Sequence, residues 1–271
     1  MKKKKLMESI KKVSQYIEDW LIKYIKKSKM NGFVVGVSGG IDSAVTSSIC
    51  ARTGYPTLCL EMGINQNASQ VSRARKHIER LEDNYKNVTH QYLSLDKLFG
   101  EFRHMLPNSN NESKENLALA NSRARLRMTT LYYFSSINNY LVAGTGNKVE
   151  DFGIGFYTKY GDGGVDISPI ADLMKSEVFV LAKYLNVIED IQKTKPTDGL
   201  WDDDRTDEDQ IGASYDEIEF IMKNFDEKSN KIFTSRQEEV YQLYKNLNIK
   251  NRHKMNPIPV CKIPDRLKNS I

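Results

Sequence analysis

Cysteine is scarce in this chain: 271 residues hold only Cys50, Cys59 and Cys261, an odd number without CxxC spacing. That argues against a disulfide framework and a structural zinc site, and a reduced, cytoplasmic setting is expected. No run reaches the ~18 apolar residues of a membrane span. The lysines after Met1 do not open a signal peptide either, because lysines and acids interrupt the chain before an apolar core of ~7 to 15 residues forms. His77, His90 and His104 lack metal-like spacing, and no Ser or Cys nucleophile constellation stands out.

A basic body is also missing. The net charge is +5, but residues 1–30 carry ten lysines against Glu8, Glu18 and Asp19, a local +7 that leaves about −2 for the rest. Nucleic acid is therefore not expected as a partner, nor is a membrane. In that first segment Leu6, Ile10, Val13, Ile17, Leu21 and Ile25 repeat at helical spacing. The spacing predicts a helix over 6–28, docked on the body through this face with its lysines in solvent; a membrane-surface or RNA-binding helix is the alternative.

What is present is alternation. Short β-rich runs at 33–37, 57–62, 88–93 and 140–143 are separated by stretches of helical type at 42–52, 67–83, 112–139, 173–186, 207–224 and 229–247. Strand and helix in turn predict an α/β fold with a doubly wound parallel sheet flanked by helices, here as one domain over 1–271. In such sheets ligands bind at the carboxyl ends of strands, so the loops "GVSGGIDS", "EMGINQN" and "GTGNKVED" are where chemistry belongs.

The first of these loops follows an apolar strand and opens a helix. Gly36, Gly39 and Gly40 let the backbone turn tightly and aim its amides at an anion, and the helix N-terminus favours negative charge. Ser38 and Ser43 add hydroxyl donors, and Asp42 suits a divalent cation held against phosphate. The lysine of the common GxxxxGK[ST] loop is absent. A polyphosphate with magnesium satisfies every group that is there.

Strand, SGGxDS and helix in that order resemble the pyrophosphate-loop, or N-type, ATP pyrophosphatases, which have a Rossmann-like fold and cleave ATP between its α and β phosphates. The segments "NSRARLRM" (121–128), "GTGNKVE" (144–150), "GFYTKYGDGGVDISPIADLMK" (155–175), "KPTDGLW" (195–201), "TDEDQIGASYDEI" (206–218) and "RHK" (252–254) are similar in order and spacing to the ammonia-dependent NAD synthetases within that superfamily. The resemblance implies amidation of deamido-NAD with ATP and ammonia through an acyl adenylate, releasing AMP and pyrophosphate, as the last step of NAD biosynthesis. A glutamine-using synthetase would carry an added amidohydrolase domain, so ammonia is the expected nitrogen source.

The same resemblance implies the site. It puts ATP on Gly36, Val37, Ser38, Gly39, Gly40, Ile41, Asp42 and Ser43, with Thr145, Lys175 and Thr197, and Mg2+ on Asp42 and Glu150. Asp42 and Lys175 become catalytic. Lysine suits that role, since a compact cation neutralises charge on the transferring phosphate. Deamido-NAD falls to Arg125, Lys159, Asp166, His253 and Lys254, cations apt for a pyrophosphate and a carboxylate. Asp162 or Asp166 is the candidate to deprotonate ammonium.

The stretch "TDGLWDDDRTDEDQ", 197–210, with seven acids and one arginine, is by composition a solvated mobile loop and by resemblance one that closes over ATP. A homodimer is implied too, with the apolar face of the first helix as a candidate contributor. The chain departs from the family pattern at Gly146, where Asp or Ser is common, and in one extra residue between Glu150 and Lys159; either Asn65 or Gln66 would reach ATP. The rival readings are a tRNA-modifying ATP pyrophosphatase, which would need catalytic cysteines or an added basic domain, and a non-catalytic nucleotide-binding protein of the same fold.

Overall fold

The apolar run that ends in the glycine loop becomes the centre of a parallel sheet. In the computed structural model, which describes residues 2–107, 109–197, 199, 205–224 and 233–268, the strands β1 (Gly32–Gly36), β2 (Thr57–Gly63), β3 (Val88–Ser94) and β4 (Tyr140–Val142) lie in the order β3-β2-β1-β4, all parallel. Side chains of β1 alternate as a strand demands. Phe33 and Val35 face one helical layer and Val34 faces the other, all fully buried.

The first layer holds α1 (Lys2–Ser28), α2 (Ile41–Arg52), α3 (Ala68–Asn84) and α6 (Lys175–Tyr184); the second holds α4 (Asp96–His104) and α5 (Glu112–Asn138). Ile10, Ile17, Leu21 and Ile25 of α1 are buried with Ile41, Val45 and Ile49 of α2 and with Val178 and Leu181 of α6. Buried Glu18 accepts from Ser14 Oγ at 2.8 Å and from Arg52 Nε at 2.7 Å, which fixes the rotation of α1 about its axis. Its apolar face is thus occupied within the chain. The apolar face is therefore not free to form a subunit contact as expected; the large apolar side chains that α1 does expose include Leu6, Met7, Tyr16, Trp20 and Tyr24.

Beyond the sheet, a smaller helical cluster is built from a π-helical turn (Val149–Ile154), α8 (Asp207–Ile211), α9 (Tyr215–Asn224) and α10 (Ser235–Met255), around Val149, Ile154, Ile211, Ile218, Ile221 and Val240. The short α7 (Glu189–Gln192) and α11 (Asp265–Lys268) complete the chain. The single helix expected over 207–224 is two. Gly212 ends α8 in a left-handed conformation, φ +87°, and Ser214 and Glu217 cap α9 reciprocally. The helix expected at 229–247 starts instead at Ser235, behind a Thr234 and Gln237 capping box, and runs on to Met255; residues 229–232 lie outside the described residues. The first helix begins at Lys2 rather than residue 6, and α4 and the π-helical turn were not anticipated.

All three cysteines are free; Cys50 and Cys59 are buried, and burial pushes the Cys59 thiol up to about 12, the range of an inert core thiol. No helix among the described residues is long and apolar enough to cross a membrane. The docking of α1 is testable. Leu21→Ala removes a fully buried side chain and is expected to cost about 3 kcal/mol in urea unfolding. Replacing Lys11 and Lys12, both exposed, with Gln should change stability by less than about 0.5 kcal/mol.

Candidate functional site

From β1 the chain crosses to β2 on one side, and β4 pairs on the other, so the carboxyl ends of β1 and β4 flank the point where the strand order reverses. That is where an open α/β sheet leaves a crevice. A cavity of ≈ 250 Å³ opens there, lined by the loop 36–43, by Thr145 and Gly146 after β4, by Glu150, Asp151 and Asp162, by Lys175, and by Thr194–Thr197.

The loop is shaped by close approach. Gly39 has φ +82°, and a Cβ on it would stand 2.5 Å from the Gln70 carbonyl of α3. Ser43 Oγ donates to the Gly40 carbonyl at 2.9 Å and accepts from Ser38 N at 3.2 Å, closing the turn. The N-cap of α2 is Gly40, without a side-chain cap, so the first amides of the helix are left for a ligand. Ile41 points the other way, buried among core side chains, and anchors the loop there.

At the mouth of this loop three distant segments meet. Lys175, the first residue of α6 and 3% exposed, donates to Asp42 Oδ2 at 2.7 Å and to Glu150 Oε1 at 2.9 Å. Burial by itself would lower the ammonium's pKa, but the two carboxylates outweigh it and hold the group above its ordinary value. They also offset the unfavourable placing of a cation at a helix N-terminus. Burial pushes the Asp42 carboxyl up against the pull of Lys175, whereas Lys175 and the Tyr215 hydroxyl keep Glu150 below the usual range despite its burial.

Two supporting residues were not anticipated. Fully buried Asn147 donates to Asp42 Oδ1 at 3.0 Å and accepts from the amides of Val149 and Glu150, so one amide orients both acids. Tyr215 Oη donates to Glu150 Oε1 at 2.6 Å and stands 3.2 Å from Asp207 Oδ2, with Lys175 Nζ 4.8 Å from its ring centroid. Both lie inside the motif-bearing segments 144–150 and 206–218, but nothing local marks them. Their partners are between two and 105 positions away in sequence.

The wide π-helical turn sends consecutive side chains, Glu150 and Asp151, toward the cavity. It is held open by α10, where Asn248 donates to the Gly153 carbonyl at 2.7 Å and Asn251 to that of Ile154 at 2.8 Å. Gly146 is explained here: a Cβ on it would come within 2.2 Å of the Asp151 carboxylate. Burial, together with Glu150, Asp162 and Asp42 nearby, pushes the Asp151 carboxyl up to about 8.

The residues expected to hold a dinucleotide gather beside the cavity, next to its lining residues Ala124, Tyr157 and Asp162. Arg125 reaches the Lys159 carbonyl at 3.4 Å, Lys159 Nζ donates to the His253 carbonyl at 2.6 Å, and Lys254 Nζ donates to the carbonyls of Gly155 and Tyr157. None of these four lines the cavity. Asp166 is set apart from them, accepting from the Val142 amide at 2.8 Å and from Tyr132 Oη at 3.0 Å. Thr197 lines the cavity, its Oγ1 donating to the Arg205 carbonyl at 3.2 Å; so does Gln66, whereas Asn65 does not. Of the acidic stretch, Asp198 and residues 200–204 lie outside the described residues.

Comparison with known proteins gives a consistent result. The sequence profile of the NAD synthase family matches residues 13–258. The NH(3)-dependent NAD(+) synthetase of Carboxydothermus hydrogenoformans is 38% identical over 211 residues, 77% of this chain and 84% of that one. The structure of an NMN synthetase from Francisella tularensis superposes with a TM-score of 0.80 at 32% identity, covering 94% of this chain and 99% of the other. An NH3-dependent NAD synthetase from Campylobacter jejuni, in complex with nitrate, gives 0.74 at 28% identity, covering 93% and 99%.

The raised Asp151 carboxyl has a consequence for stability. A carboxyl with a folded pKa of about 8 keeps a proton that the unfolded chain, near ~3.9, gives up, so stability drains away as pH rises between the two. Asp151→Asn should leave the melting temperature nearly unchanged near pH 4 and raise it by about 3 to 6 °C at pH 8. Melting curves across that range test it, and an equal shift at both ends would contradict the assignment.

Proposed function

The chain belongs to the NAD synthase family, and from that premise we propose that it amidates deamido-NAD to NAD with ATP and ammonia, releasing AMP and pyrophosphate. The observation that carries the reading is the uncapped glycine loop at the head of α2 beside a buried lysine that joins Asp42 to Glu150.

In this reading the amides of Gly36 to Ser43, with Ser38 and Ser43, cradle the phosphates of ATP, and Thr145 and Thr197 line its path. Lys175 faces the α-phosphate and meets the charge that grows as the nicotinate carboxylate attacks and pyrophosphate departs. Ammonia then displaces AMP from the acyl adenylate. Asp162 is open to the cavity, accepting from Thr158 N at 2.9 Å, and is placed to take a proton from ammonium. Asp166, both oxygens already engaged, is the weaker candidate.

Magnesium fits the donor set. No group of three His, Cys, Asp or Glu among the described residues forms a ready cage. Two carboxylates completed by substrate phosphates suit this hard, well-hydrated cation. Asp42 and Glu150 would hold it, and when bound it supplies charge neutralisation on the phosphates. The patch of Arg125, Lys159, His253 and Lys254, with exposed Asp166, receives the dinucleotide. One domain spanning the chain, a cytoplasmic setting and a homodimer complete the proposal. The dimer finds support in the exposed stripe Tyr16, Trp20 and Tyr24 and in Tyr133 and Ile137 of α5.

A second acceptor is favoured by the likeness to the Francisella tularensis structure, whose name points to a mononucleotide product. Incubation with ATP, magnesium and ammonium, offering deamido-NAD or nicotinate mononucleotide, decides between them. Faster formation of NAD than of NMN is expected, with AMP and pyrophosphate in equal amounts, and glutamine should not replace ammonium. Lys175→Gln should lower kcat by about 10²- to 10³-fold while the folded protein persists by circular dichroism.

A further inference from the structure

Arg73 is a cavity-lining cation that neither the folding of the chain nor the proposed chemistry has so far employed. Residues 70–74 of α3 lie against the glycine loop: a Cβ on Gly39 would meet the Gln70 carbonyl at 2.5 Å and the Ala74 amide at 3.2 Å. Arg73 stands between these two contacts and shares the cavity lining with Ser38, Gly39, Lys195 and Thr197.

Its guanidinium is poorly satisfied. Nε is shielded from solvent without a hydrogen-bond acceptor, and the only bond it makes among the described residues is from Nη1 to Ser69 Oγ at a long 3.4 Å. No carboxylate among the described residues lies within ion-pair reach of it. The nearest acid felt electrostatically, Asp190, is bonded by Lys76 at 3.1 Å. Other arginines of the fold are matched: Arg52 with Glu18, Arg75 with Glu61, Arg236 with Glu217.

A half-buried, unmatched guanidinium is an unfavourable group to maintain unless an anion completes it. Its planar fork fits phosphate oxygens with two parallel bonds, which a point charge does not. Lys175, Asp42 and Glu150 satisfy one another at the head of α2, on the side of the loop where the α-phosphate is placed. Arg73 comes from a different element, the stretch of α3 whose Gln70 and Ala74 backbone abuts Gly39, and it lines the same cavity as residues 194–197.

We infer that Arg73 is a binding residue for the terminal phosphates of the nucleotide, and that it grips inorganic pyrophosphate after the α–β bond has broken. The assignment rests on the reading of the loop as a pyrophosphate cradle. It divides the work along one cavity. Lys175 acts on the phosphate that stays with AMP, and Arg73 on the pair that leaves.

The test is titration of the full-length protein with inorganic pyrophosphate and, separately, with AMP, both with magnesium, in the wild type and in Arg73→Gln and Arg73→Lys. Losing a charge-assisted contact should weaken pyrophosphate binding, and its product inhibition, by about tenfold or more in Arg73→Gln. AMP binding should be unchanged and Arg73→Lys should recover part of the loss. In steady state the KM for ATP should rise while that for the dinucleotide holds. Pyrophosphate binding unchanged in Arg73→Gln, with the wild type binding it, overturns the assignment alone; so does a parallel loss of AMP, the mark of a disturbed fold. A wild type that binds no pyrophosphate overturns the loop reading and this assignment together.

Discussion

Everything at this site hangs on an ammonium buried between two carboxylates. Lys175 is 3% exposed, and without Asp42 and Glu150 its charge could not be kept there. Without Lys175, in turn, the two acids would repel each other, a repulsion that together with burial already keeps the neighbouring Asp151 carboxyl protonated. Asn147 adds a bond to Asp42 Oδ1 and Tyr215 one to Glu150 Oε1, so that the group is a network rather than a loose ion pair. The sheet order follows the same need. It places the ends of β1 and β4 side by side, so the segments bearing Asp42 and Glu150 leave the sheet as neighbours.

The glycines serve approach rather than flexibility. Gly39 lets α3 rest on the loop, and Gly146 leaves room for the Asp151 carboxylate. Filling either position would push a wall of the cavity outward. The space that a side chain at position 146 would fill is taken by an acid arriving five residues later.

Much of this was legible from short-range spacing. The strand, SGGxDS and helix sequence marks the loop because backbone turn, anion cradle and helix start are all local. Asp42 was readable in the loop itself, whereas Glu150 and Lys175 came only from the family resemblance of their segments, and the structure joins both acids to the one lysine. What stayed hidden depends on pairing across the fold. Asn147 sits beside Asp42 across 105 positions, and Arg73 is notable only for how little its guanidinium meets among the described residues. The break at Gly212 was readable in principle, since Ser214 and Glu217 stand at capping-box spacing, but helical periodicity continued on both sides and outweighed it. Arg125, Lys159, His253 and Lys254 do come together, yet beside the cavity rather than in its lining, which no motif order reveals.

The π-helical turn at Val149–Ile154 has a meaning for descent as well as for geometry. A turn that closes one residue later than an α-turn stores an insertion without passing it on to its neighbours. Such a turn lets the stretch from Glu150 to Lys159 carry one residue more than an α-turn would, with Asn248 and Asn251 of α10 receiving the carbonyls of Gly153 and Ile154. The acid at 150 and the lysine at 159 keep their places on either side. A lineage can lengthen the wall of its active site in this way while the reacting groups stay in register, and the helix that secures the change lies nearly a hundred residues downstream.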